Sequence, residues 1–317
     1  MKIKSHDGSE KELKNIKGFS FDLDDNILFS KTMIYFTDLD PKSKTYKQEI
    51  SVSTGEFAKY YSEYVSRDLH LTKRSFRDFE HGSDQLFLRE MRGAMPGPSW
   101  KNFVNCVNSG GIFSVITARG VRPETLQTGL RSFIENNMHG LSLKSCIEAF
   151  KIYAPYWGNG AVKIPENASD SEWLTYYLSC CRFYPCKSKS IQLRHRGEFD
   201  PSFNDVPLIK SKVIEDFFNH LHAFYVSIKK QNPTVGLKFG FSDDHSPNLC
   251  AILPVVKSLS ERFPDVQLKL YYTETKKELV AHSKKGELFL NSGWDTIKKK
   301  DIGHLRLRDS DLEKPER

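Results

Sequence analysis

Residues 16–26 read IKGFSFDLDDN, a short β-rich run that stops abruptly at the carboxylates Asp22, Asp24 and Asp25. Two further stretches repeat that arrangement. The almost continuous apolar run Ile112–Ile116 ends at Thr117-Ala118-Arg119-Gly120, with Pro123 and Glu124 opening a helix. Gly236–Phe241 ends at Ser242-Asp243-Asp244-His245, and Asn248–Leu259 reads as the following helix despite Pro254. Runs this apolar suit parallel strands buried on both faces. Strands alternating with helices imply an α/β chain, a three-layer sandwich with a central, mostly parallel, Rossmann-like sheet. In open sheets of that kind ligands bind beyond the carboxyl ends of the strands. Asp22, Asp24, Thr117, Asp243 and Asp244 are therefore expected together at one edge.

Around these three runs the chain divides into a polar tail over residues 1–14, expected to fray, a core over 15–295 and a charged tail over 296–317. The core carries insertions after its first and second motifs. The first, at about 27–95, reads as a hairpin of MIYFTDL (33–39) and QEISVS (48–53), turned by DPKSK. A helix capped by Ser53 or Thr54 then runs to Val65. The second, at about 140–205, follows no clean period and reads as a possible cap. Its aromatic residues Tyr153, Tyr156, Trp157, Trp173, Tyr176 and Tyr177 are expected to form a small satellite core rather than a roof over the site. Further helices are expected at Ser99–Asn108 and Lys210–Phe224, the latter with Val213, Ile214, Phe217 and Phe218 inward, and a last strand at Gln267–Tyr272.

The 317 residues suffice to bury a substantial core, and the 38% hydrophobic share fits a globular protein. No run of about 18 apolar residues predicts a membrane span. The opening MKIKSHDGSEKELKNIKG lacks an apolar segment that would signal secretion, so the expected location is cytoplasmic. Of six cysteines, Cys180, Cys181 and Cys186 lie near His195, but without the spacing of common zinc sites, so packing is expected of them. The net charge of +7 favours anionic partners such as phosphate esters without establishing nucleic-acid binding. Lys298–Lys300 is the only lysine run, and it reads as a solvated surface.

Carboxylates crowded at one point repel each other unless a cation sits among them. Mg²⁺ is the natural occupant, since it keeps some waters and leaves a position for a substrate phosphate. One carboxylate can then attack phosphorus and form an aspartyl-phosphate. A second, two positions along, can protonate the leaving oxygen and later activate water. A lysine offsets the negative charge, and a hydroxyl donates to a phosphoryl oxygen.

These residues resemble a known family. FDLDDN (21–26) is similar to the D-x-D-x-T/V opening motif of the haloacid dehalogenase superfamily. ITARG (116–120) resembles its second motif, GFSDDHSPN (240–248) its acidic fourth motif, and the helix from Lys210 offers its third-motif lysine. The likeness spans roughly residues 15–275. It implies Asp22 as nucleophile, Asp24 as general acid/base, Thr117 as phosphate ligand, and Asp22, Asp24, Asp243 and Asp244 as the candidate Mg²⁺ ligands. Lys210 and Lys212 are both candidates for the lysine, with Lys210 favoured and Lys238 weaker. Asn26 stands where the family usually has Thr or Val. It can still donate and accept hydrogen bonds, and with Thr117 and Arg119 it is a candidate for contacting substrate, although Arg119 leans towards pairing with an acid on the surface.

The expected activity is that of a Mg²⁺-dependent phosphohydrolase acting on a phosphate monoester, small or macromolecular. The alternatives are phosphoryl transfer to another acceptor, a non-catalytic metal- or phosphate-binding module, and a nucleic-acid end-processing phosphatase.

Overall fold

The computed structural model describes residues 2–4, 10–12, 15–80, 82–136, 138–152, 154–155, 167–200, 205–230, 232–273 and 295–297. In chain order a short ladder of β1 (Lys2–Lys4) and β2 (Glu10–Glu12) precedes β3 (Asn15–Asp22). The first inserted segment contains β4 (Leu28–Phe29), β5 (Met33–Asp38), β6 (Glu49–Ser53), α1 (Thr54–Ser66), β7 (Leu69–Leu71), α2 (Asp84–Met91) and β8 (Met95–Pro96). Then come α3 (Trp100–Asn108), β9 (Ile112–Thr117), α4 (Pro123–Glu135), α5 (Leu143–Lys151), α6 (Asp170–Cys180), β10 (Arg182–Pro185) and α7 (Lys189–Arg196). The chain continues through α8 (Val206–Lys229), β11 (Gly236–Asp243), α9 (Ser246–Arg262), β12 (Val266–Tyr272) and β13 (Asp295–Ile297).

The main sheet has the order β10–β9–β3–β11–β12–β13. The first five strands are parallel and β13 is antiparallel at the edge. From β3 the chain winds outward through β9 to β10, then crosses back to β11 on the other side of β3. The winding direction therefore reverses between β3 and β11, and a crevice at such a switch point is where open α/β sheets hold ligands.

Burial follows from composition. All six residues of β9 are buried, as an uninterrupted apolar run requires of a strand covered on both faces. Phe21 and Phe113 each meet Phe103 of α3 edge-on, at 5.6 and 5.2 Å between ring centroids. On the opposite face α8 buries Val213, Ile214, Phe217 and Phe218 completely. Gly18 admits α8 at close range, since a Cβ there would stand 2.0 Å from Leu221 Cδ2.

The first inserted segment begins and ends on one pairing, Leu28 opposite Pro96 and Phe29 opposite Met95. The expected hairpin is present, with Ile34 opposite Val52, and β7 adds a third strand against β5. Ile34, Phe36, Val52, Leu69 and Phe79 form a small core separate from the main one.

Two expectations change. The stretch 140–205 is not an insertion throughout: β10 lies within the main sheet beside β9, Tyr184 opposite Ile116. Its aromatic and cysteine residues lack a period because they are buried on several sides, not because they form a cap. Tyr177 is fully buried in the main core and donates to the Gly111 carbonyl at 2.7 Å, so the satellite core is in fact part of the central one. Tyr153, Tyr156 and Trp157 lie outside the described residues. The polar start, expected to fray, carries the β1–β2 ladder, whose register sets Lys2 opposite Glu12 and Lys4 opposite Glu10.

Candidate functional site

Asp22 and Asp243 are the last residues of β3 and β11, the strands that flank the switch point. Ser242 pairs with Phe21 in register, so the two carboxylates leave neighbouring strands at the same level. Lys210 enters from the first turns of α8, a helix whose N-cap Asp205 accepts from the Leu208 amide. Its ammonium donates to Asp22 Oδ1 at 2.5 Å and to Asp243 Oδ2 at 2.6 Å. All three side chains are buried, with Lys210 2% and Asp243 0% exposed.

One cation serves more than two anions here. Burial raises Asp22 well above the usual carboxylate range; Lys210 opposes the shift, and Asp243 and Asp24 add to it. Asp244, half-buried, is raised by burial and by the charges of Asp22, Asp243 and Asp25. Burial pushes Asp25 up to about 6, and Asp24 adds to the shift. Burial alone would lower Lys210, but Asp22 and Asp243 outweigh it and hold the ammonium protonated. The cluster thus carries more acid than its lysine can neutralise.

Asp24 belongs to a second network. Arg119 grips it as a fork, Nε to Oδ2 at 3.0 Å and Nη2 to Oδ1 at 2.7 Å. Ser30 donates to Oδ1 at 2.9 Å and Thr117 to Oδ2 at 3.2 Å, which fills all four acceptor positions of the carboxylate. Burial alone would raise Asp24, but Arg119 and the two hydroxyls hold it below the usual range. Arg119 also donates to Glu90 at 3.1 Å and to Thr32, and its guanidinium lies against the rings of Phe79 and Phe87.

The structure therefore brings together Asp22, Lys210, Asp243 and Asp244, with Asp24, Thr117 and Arg119 joined beside them. It does not bring Lys212, whose ammonium donates to the His195 carbonyl at 2.8 Å in an exposed position. Lys238 projects from β11 away from the cluster. Arg119 pairs with acids as expected, but at 1% exposure rather than on the surface, because the inserted segment closes over it. Asn26, expected near substrate, is fully buried as a bridge between elements. It donates to Thr273 at 2.6 Å and accepts from Ser242 at 3.0 Å, which uses both ends of the amide. Lys298–Lys300 lies outside the described residues.

Glu90, Ser30 and Thr32 were missed. They sit in a charged stretch with no motif, and the only signal for them was that a buried Arg119 needs more than one partner. Asn248 was also missed: it donates to Asp243 Oδ1 at 2.9 Å, beside the His245 amide at the same distance. The cysteines pack, as expected. Burial pushes the Cys180 and Cys186 thiols up to about 12.

Among the described residues no group of three acidic, histidine or cysteine side chains stands ready to hold a metal ion. Two carboxylates offer oxygens that no donor among the described residues reaches, Asp22 through Oδ2 and Asp244 through both. Asp243 is committed to Lys210, His245 and Asn248, and Asp24 to its four donors. Mg²⁺ is held in many phosphate sites by one or two carboxylates, waters and the substrate itself, so the donor set fits that ion with Asp22 and Asp244 as its ligands. Among the described residues no helix is long and apolar enough to cross a membrane.

Fold and cluster together define a Rossmann-like α/β protein with an acidic site at its switch point. No family model, no curated protein and no solved structure matches the chain.

Proposed function

We propose that the chain is a Mg²⁺-dependent phosphohydrolase of haloacid dehalogenase type. One observation carries the reading: a carboxylate at the end of the central strand is joined through a buried lysine to a second carboxylate on the neighbouring strand. Asp22 attacks the phosphorus of a monoester, its oxygen forming the new P–O bond as the bond to the leaving oxygen breaks. Water then attacks the aspartyl-phosphate and releases inorganic phosphate. Bound Mg²⁺ supplies charge neutralisation for phosphate and carboxylates. Lys210 fixes the Asp22 carboxylate and offsets charge that builds on the phosphoryl oxygens. Thr117 is the hydroxyl expected to meet a phosphoryl oxygen, exchanging its contact with Asp24 for that one.

Asp24 is the general acid of this reading, with a condition set by its neighbours. It can take up a proton for the leaving oxygen only when one of its four donors withdraws, and Arg119 supplies two of them. Esters with an acidic leaving group depend least on that step. Hydrolysis of p-nitrophenyl phosphate is therefore the sensitive test. Release is expected with Mg²⁺, and loss of release is expected with EDTA and in Asp22→Asn. Full activity of that variant would sink the mechanism.

The saturated state of Asp24 also favours a second reading, a phosphate- and metal-binding module without turnover. It predicts Mg²⁺ binding with no release from the wild type.

A further inference from the structure

On the face of the sheet turned away from α8 and α9, strands β3, β11 and β12 line a cleft of about 360 Å³. Alternation fixes which residues point there. Gly18 meets Leu221 of α8, so Lys17 and Phe19 face the other way. The Phe239 ring packs on Phe217 and Phe218 of α8, so Lys238 and Gly240 face the cleft, with Lys269 and Tyr271 beside them. Asn102 and Asn105 of α3 close one side.

Two features of this cleft ask for a ligand. Lys238 is paired directly opposite Lys17, and Lys269 opposite Gly240, the next residue of β11 on that face. Like charges set opposite each other on a sheet are unfavourable, and none of the three lysines makes an ion pair or hydrogen bond among the described residues. Between them lies an aromatic floor. The Phe19 and Tyr271 rings, 6.4 Å apart, lean over Gly240, where a Cβ would stand 2.6 Å from Phe19 Cε1 and 3.1 Å from Tyr271 Cε2. The sequence of β12, VQLKLYY, alternates apolar and polar residues, which is the pattern of a strand with one polar face rather than one covered by an apolar helix.

We propose that this cleft binds a nucleotide, either free or as a unit of a single strand, with phosphate on the lysines and the base on the Phe19–Tyr271 floor. Cations beside flat rings are the combination that single-stranded nucleic acid requires, and the volume falls in the range of small-molecule sites. The proposal does not rest on catalysis by Asp22, because the cleft lies on another part of the sheet.

The test uses the full chain in EDTA, so that nothing turns over. The probes are a fluorescent oligo-dT with hydroxyl ends and a fluorescent AMP, titrated over a series of salt concentrations. Binding is expected at low salt and unchanged in Asp22→Asn. In the triple variant Lys17→Gln, Lys238→Gln, Lys269→Gln the log–log salt slope for oligo-dT should fall by about 2, at about 0.7 per lost phosphate contact. Tyr271→Leu should weaken both nucleotide probes about tenfold and leave inorganic tripolyphosphate unchanged. Oligo-dT binding far tighter than AMP assigns the strand, and equal binding assigns the free nucleotide. No binding of either probe at low salt overturns the proposal. So does a triple variant that melts like the wild type and keeps its affinity and slope, or a Tyr271→Leu variant that loses tripolyphosphate and nucleotide alike.

Discussion

Replacing Lys210 by Met removes the only cation that, among the described residues, pairs with Asp22 and Asp243, while nearly preserving side-chain volume. The ammonium lies 2.5 and 2.6 Å from its two carboxylates, and all three groups are buried. Breaking one buried pair by deleting a partner typically costs about 3–5 kcal/mol, because the remaining charge is left without compensation. Two carboxylates lose their partner here, so the upper end of that range is expected near pH 8. The sign of the pH dependence follows from the carboxylates. Asp22 is already raised by burial, and losing Lys210 takes away the influence that opposes the rise. A group whose folded pKa exceeds its unfolded value of about 3.9 binds more protons when folded, so stability falls as pH rises between the two values, by about 1.4 kcal/mol per unit and group. The loss should therefore be large at pH 8 and smaller at pH 5. Urea unfolding of wild type and variant at both values measures it. A variant as stable as the wild type at pH 8, or a loss that does not shrink on acidification, would refute the charge account of the cluster.

Arg119→Met strands Asp24 and Glu90 in the interior and should cost about 3–5 kcal/mol in the same assay, with Arg119→Lys recovering only part because an ammonium cannot reproduce the fork. Asp24 is held low, so its contribution is complete above its unfolded pKa of about 3.9 and is lost as pH falls through the folded value. Acid titration of stability should accordingly be flatter in Arg119→Met than in the wild type. If Asp22 and Asp244 hold Mg²⁺, the ion at a hundredfold excess over its dissociation constant should stabilise the fold by about 2.7 kcal/mol, seen as a melting shift against EDTA. Asp244→Asn should lose most of that shift and the exposed Lys212→Met none of it, whereas a wild type without any shift would remove this pair as a cation site.

How much of this was legible depends on whether a residue's role is local. The β3, β9 and β11 runs could be read because a doubly covered strand needs nothing but apolar residues, and a site at their ends needs only order along the chain. Lys210 was legible for the same reason, since α8 is amphipathic and its start lies after the second motif. β10 was not. Arg182–Pro185 is four residues long and flanked by cysteines, and what makes it a strand is its pairing with β9, a contact no local pattern records. Glu90 was hidden likewise, because it is one acid in a charged stretch until Arg119 selects it.

Asn26, placed near substrate by its motif, is engaged within the protein instead, and Arg119 pairs with acids as expected but in the interior. Each has more hydrogen-bonding capacity than the turn around it can use, and burial obliges that capacity to be met within the protein. Asn26 ties the loop after β3 to Ser242 and to Thr273, just beyond β12, while Arg119 ties the same loop to β9 and to α2 of the inserted segment. The loop bearing Asp24 is thus anchored from both sides of β3. Asp22, at the strand end before it, inherits a fixed position without any of those bonds reaching it, and Lys210 is left as its only protein donor among the described residues. That division places one carboxylate rigidly while its Oδ2 meets no donor among the described residues. It is also why substitution at Asn26 should disturb the site through geometry rather than through contact with substrate.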